Sequence, residues 1–104
     1  MKYYNKLVRD KIPKIIEETG KKCTIRYVDE KEQLKLLEGK LNEEVLEYID
    51  DKNLEELADI MEVLFGLAKN LGFSEEELLK CREEKKKKRG GFEEGVLLLA
   101  VYEE

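Results

Sequence analysis

The sequence predicts a mainly helical single domain with a minor two-stranded β element, assembled as a homodimer or higher oligomer. Three observations carry this. Two long stretches repeat apolar residues at helical spacing. Asparagine, serine and glycine stand where helices should start and stop. Only two short segments read as extended chain. At 104 residues the chain is one domain, near the size where a single core is adequate but not generous, and short chains that also carry a polar site often gain stability by associating.

The first helix is short, Pro13 to Thr19, with proline in its first turn and Gly20 past its end. Cys23 to Val28 (CTIRYV) is β-branched and aromatic and reads as a strand. A long helix is expected from about Glu30 to Ile49, with Leu34, Leu37, Leu41, Val45 and Tyr48 on one stripe. Gly39 weakens it by about 1 kcal/mol relative to Ala, but the stripe keeps its phase. Asp50 to Asn53 reads as a turn, and Asn53 is a good N-cap for a second long helix, Leu54 to about Leu71, stopped by Gly72. Ser74 followed by Glu77 is a capping box that opens a third long helix running toward Lys88, ended by Gly90-Gly91. The tail, Gly95 to Tyr102 (GVLLLAVY), reads as a second strand or buried extended segment that could pair with Cys23 to Val28.

Composition narrows the function classes. With 41% apolar and 43% charged residues, a folded chain is expected rather than a disordered one. The net charge of −5 argues against a nucleic-acid polymer as partner, because such binders are usually basic overall. An anionic substrate would need a metal ion or a local basic patch. Cys23 and Cys81 form no CxxC pair and have no histidine partner, so reduced thiols in a cytoplasmic protein are expected. The start, MKYYNKLVRDK, lacks the apolar stretch of a signal peptide, and the run Val96 to Val101 is too short to span a bilayer, so no membrane partner is expected.

The informative feature is where certain acids sit. At about 100° per residue, Glu44 falls beside Leu37 and Tyr48 at the apolar stripe, and Glu47 follows one turn later on the adjoining edge. On the second long helix, apolar residues cover well over half the circumference, which predicts the central buried helix. There Glu56 falls between Val63 and Leu67, and Asp59 between Val63 and Gly66. A buried unpaired carboxylate costs several kcal/mol, so it must be protonated, paired or metal-bound. Two i, i+3 acid pairs on facing helices offer hard oxygen ligands suited to magnesium or manganese. The plainer readings stay open at this point: Glu43, Glu44 and Glu47 as a solvated acidic face, and Glu56 as the completion of a capping box on Asn53.

Glu43-Glu44-Val45-Leu46-Glu47 followed by Glu56-Leu57-Ala58-Asp59 resembles the EExxE and ExxD signature of the MazG-like, all-α nucleoside triphosphate pyrophosphatases. The strings around these acids, KLNEEVLEY and EELADIMEVLFGLA, are similar to that family beyond the acids themselves. NKLVRDKIP and the late Lys85, Arg89, Gly90, Gly91, Phe92 resemble its compact phosphoribosyl-ATP pyrophosphohydrolase-like, house-cleaning subgroup. The resemblance implies a MazG-like helical bundle in which Glu44, Glu47, Glu56 and Asp59 bind Mg2+, with Mn2+ as a substitute. It places Glu43 nearby as a base or further ligand, so that Glu43 and Glu47 are the candidate catalytic pair. It implies cleavage between the α and β phosphates of a nucleoside triphosphate, giving a monophosphate and pyrophosphate. Only eight residues separate Glu47 from Glu56, fewer than in many MazG proteins, so substrate identity does not carry over. Phosphoribosyl-ATP is the rival substrate, and a non-catalytic helical module that binds a nucleotide or a protein is the rival function.

Positive side chains would stabilise charge on the leaving pyrophosphate. Lys85 and Arg89 are candidates, with Arg82 one turn before Lys85, and Lys6, Arg9 and Lys11 form a second cluster. The alternatives are that the run from Lys85 to Arg89 is a solvated, dipole-matched helix end, and that Arg9 and Asp10 form a structural ion pair. Phe92 reads as a packing residue more readily than as a base-stacking platform.

Overall fold

The computed structural model describes all residues, Met1–Glu104. Four helices follow one another: α1 (Ile12–Glu18), α2 (Glu30–Asp51), α3 (Leu54–Asn70) and α4 (Glu75–Arg89). The fold is mainly helical, as the periodicity predicts. Pro13 stands in the first turn of α1, where its missing N–H costs no helical hydrogen bond. Asp29 caps α2 by accepting from the Glu32 amide at 2.8 Å. Asn53 caps α3 by accepting from the Glu56 amide at 2.9 Å. Ser74 and Glu77 form both hydrogen bonds of the capping box on α4. Gly72, at φ +94°, supplies the left-handed residue after α3. α2 continues two residues past Ile49, so the turn contracts to Lys52 and Asn53, and Lys52 takes the left-handed conformation at φ 47°.

α2 and α3 form an antiparallel hairpin. Its open end is fastened by Asn70, whose side-chain amide donates to the Glu30 carbonyl at 2.9 Å and to Gln33 Oε1 at 3.0 Å. Mid-hairpin, α3 turns Gly66 toward Leu37; a Cβ there would stand 3.2 Å from Leu37 Cδ2, so the leucine side chain would have to give by a few tenths of an ångström. Leu37, Val63 and Ala68 are the buried apolar residues, and Glu44 is the only buried charged one. α4 packs on α3 alone, and α1 packs on no other helix. No helix is long and apolar enough to cross a membrane.

The two-stranded β element is not formed. Neither Cys23–Val28 nor Gly95–Tyr102 is a strand, and no backbone hydrogen bond joins them. A lone two-stranded ribbon is marginal in water unless one face is covered; here Tyr27 is 90% exposed and Leu97 81%, so pairing would gain no burial. Arg26 instead grips Glu32 with two hydrogen bonds, at 3.0 and 2.6 Å, tying the first segment to the opening turn of α2.

The chain is far from closed. Its radius of gyration is 18.6 Å, against about 13 Å for a compact chain of about 100 residues. It exposes 10147 Å², where a compact monomer of this mass exposes roughly 6,000 Å².

Candidate metal centre

The site lies toward the connected end of the α2–α3 hairpin, where the Asn53 cap sets the phase of α3. Glu44 extends the apolar stripe of α2 two turns beyond Leu37, and Glu56 and Asp59 face it from the first turns of α3. One oxygen from each of these three carboxylates lies within 4.8 Å of the others. Glu44 is 8% exposed, while Glu56 and Asp59 are half-buried. Glu44 Oε2 and Glu56 Oε2 are both buried without a hydrogen-bond partner.

The electrostatics match that crowding. Burial pushes the Glu44 carboxyl above its usual range; the charges of Glu47 and Asp59 push the same way, and Lys40 opposes them. Glu56 is raised as well, first by loss of solvent and then by Glu47, Asp59, Asp51 and Glu44. Glu47 is exposed and stands outside the tight trio, yet its charge reaches both neighbours. Only two cations touch the trio. Lys40 Nζ lies 3.6 Å from Glu44 Oε1, and Arg9 donates to Asp59 Oδ1 at 2.6 Å.

These residues fit a hard divalent cation. Two orphaned buried oxygens lack the partner that such groups require, and an added positive charge supplies it. Carboxylates are the only ligand type in the cluster.

The other candidate residues are placed differently. Glu43 is exposed and pairs with Lys6 at 3.6 Å. Arg9 pairs with Asp59 across the fold, so the alternative reading of a local pair with its neighbour Asp10 is not the one formed. Lys11 is exposed and forms no ion pair. Arg82 pairs with the adjacent Glu83 at 3.1 Å. Neither Lys85 nor Arg89 comes within ion-pair distance of the four acids, and α4 does not pack on α2. Sequence reasoning missed Lys40, although its i, i+4 spacing to Glu44 was a usable signal. It also missed the Arg9–Asp59 contact, for which fifty residues of separation leave none.

No family model, curated protein or solved structure matches the chain.

Proposed function

We propose that this chain is a magnesium-dependent nucleotide pyrophosphohydrolase of the MazG-like kind, cleaving between the α and β phosphates of a nucleoside triphosphate. The observation that supports it most is the pair of orphaned carboxylate oxygens, on Glu44 and Glu56, converging with Asp59. Glu44, Glu56 and Asp59 would hold Mg2+ or Mn2+, with Glu47 as the fourth ligand or as the base at their edge. When bound, the metal neutralises phosphate oxygens and lowers the pKa of a coordinated water. A carboxylate left free of the ion, Glu47 or Glu43, accepts a proton from the attacking water. Lys6 and Arg9 reach the hairpin at Glu43 and Asp59 and, with Lys11 close by in sequence, would supply positive charge for a polyphosphate.

Self-association belongs to this reading. Met61, Leu64, Leu71 and Phe73 are 41–59% exposed on and just after α3, and the excess surface of about 4,000 Å² over a compact monomer is ample for the roughly 1,000–2,500 Å² that each chain gives to an obligate interface. A cytoplasmic setting suits the two free thiols.

The decisive experiment is a pyrophosphate-release screen over standard and damaged nucleoside triphosphates and phosphoribosyl-ATP, with and without Mg2+. The expected products are a monophosphate and pyrophosphate, formed only with metal, and lost in Glu47→Gln and Asp59→Asn chains that keep their helicity. Nucleotide binding without turnover on any substrate would instead mark a non-catalytic module.

A further inference from the structure

The first eleven residues do more than lead into α1. Asn5, Lys6 and Leu7 lie along α2 beside Lys35, Leu36, Gly39, Lys40 and Glu43. Asn5 bends the backbone at φ 48°. Lys6 then reaches Glu43 of α2 and Arg9 reaches Asp59 of α3. The segment therefore straddles the hairpin at the acidic trio, held at each side by one cation. Of the two cations on the trio, Lys40 belongs to α2 itself and stays with it. Arg9 arrives from outside the helices, and its pair with Asp59 is about half exposed, at 53% and 40%. A pair so solvated holds weakly and exchanges readily.

We infer that Arg9 is a resident counter-ion of Asp59 that competes with the divalent cation, so that metal entry frees the N-terminal segment to take substrate phosphate. This rests on the metal-centre reading. The guanidinium and a divalent ion at the trio carry like charge and share one carboxylate, so each weakens the other's hold. Once displaced, Arg9 keeps its planar fork of donors, the geometry that grips two oxygens of a phosphate. Metal and nucleotide binding are then coupled: the ion exposes the group that the nucleotide needs, and by linkage the nucleotide tightens the ion.

The sign of one substitution separates this from a merely structural role. Arg9→Ala is titrated with Mn2+ by calorimetry without nucleotide, beside the intact chain, Lys6→Ala and Asp59→Asn. Competition predicts that Arg9→Ala binds Mn2+ about two- to fivefold more tightly, the range expected for removing one exposed ion pair. Lys6→Ala, whose partner Glu43 lies outside the trio, should gain clearly less than Arg9→Ala. Trypsin cleavage after Lys6 and Arg9 of the intact chain should accelerate on adding Mn2+. If Arg9→Ala binds Mn2+ more weakly, Arg9 orients Asp59 as an outer partner and the competition is overturned. An unchanged affinity overturns it as well. If the intact chain binds no Mn2+, the metal centre itself fails and the exchange falls with it, an outcome distinct from binding that ignores Arg9.

Discussion

Replacing Glu44 by glutamine should stabilise the metal-free chain and destabilise the metal-loaded one relative to the parent. Glu44 is the one charged residue buried in the hairpin, with Oε2 unpartnered and Glu47 and Asp59 pressing on it. Leaving such an acceptor unmade costs about 1–3 kcal/mol. Glutamine turns that atom into a donor aimed at neighbouring carboxylates, at nearly equal volume. The change forfeits the Lys40 pair at 3.6 Å, worth about 0.2–1 kcal/mol. The balance is a gain of about 1 kcal/mol, which raises Tm by roughly 4–8 °C in a domain of this size. With Mg2+ at about a hundred times its Kd, the parent gains about 2.7 kcal/mol from binding alone, and Glu44→Gln gains little of it. Thermal melts followed by circular dichroism, in chelator and then in Mg2+, should show the two curves change order. A Glu44→Gln chain that melts below the parent in chelator would refute the reasoning, because Glu44 would then be a satisfied structural ion pair.

The acid titration has a predictable sign. Glu44 and Glu56 have folded pKa values above the ordinary carboxylate value, so the folded state binds more protons and metal-free stability falls as pH rises through that interval. The chelated chain should therefore melt higher at about pH 5 than at about pH 7; further acidification removes the opposing contribution of Glu32, which Arg26 holds below its usual value. A flat profile would mean the trio is relaxed. Replacing Arg89 by alanine should be as mild for catalytic efficiency as Lys87→Ala, because α4 does not pack on α2; a loss of about 10- to 1000-fold, roughly 1.4–4 kcal/mol, confined to Arg89→Ala would return the end of α4 to the phosphates. Light scattering at micromolar concentration should give at least twice the 12.2 kDa chain mass, and a strict monomer would contradict the self-association argument.

Helix positions were legible because each depends on short-range chemistry. Pro13, Asn53, Ser74 with Glu77, and Gly72 act on backbone groups within one turn of themselves, so spacing alone locates them. The α2–α3 hairpin was legible for a similar reason, since a short connection between two long amphipathic helices leaves an antiparallel pair as the simple packing. The strands were not legible. CTIRYV and GVLLLAVY have strand composition, but a strand exists only through a partner, and composition does not say whether one is near. Arg26 decided the first segment locally by taking Glu32, a contact that a β-propensity argument ignores.

The acidic cluster was readable in part for a related reason. Helical phase puts Glu44 on the stripe and Glu56 and Asp59 opposite it, and that phase survives folding because the caps hold it. What phase does not give is the counter-charge. Arg9 lies in sequence beside Asp10, and electrostatics in an extended chain would pair them. In the fold, Asp59 sits near Glu44, Glu56 and Glu47, and the summed negative potential of several carboxylates outbids that of one solvated neighbour. The same potential that attracts Arg9 would attract a divalent cation more strongly, since attraction grows with the charge of the guest. The α2–α3 hairpin thus keeps a costly acidic trio at a stripe position where an apolar side chain would be more stable. That arrangement is what the proposed metal centre would require, stability being exchanged for a site.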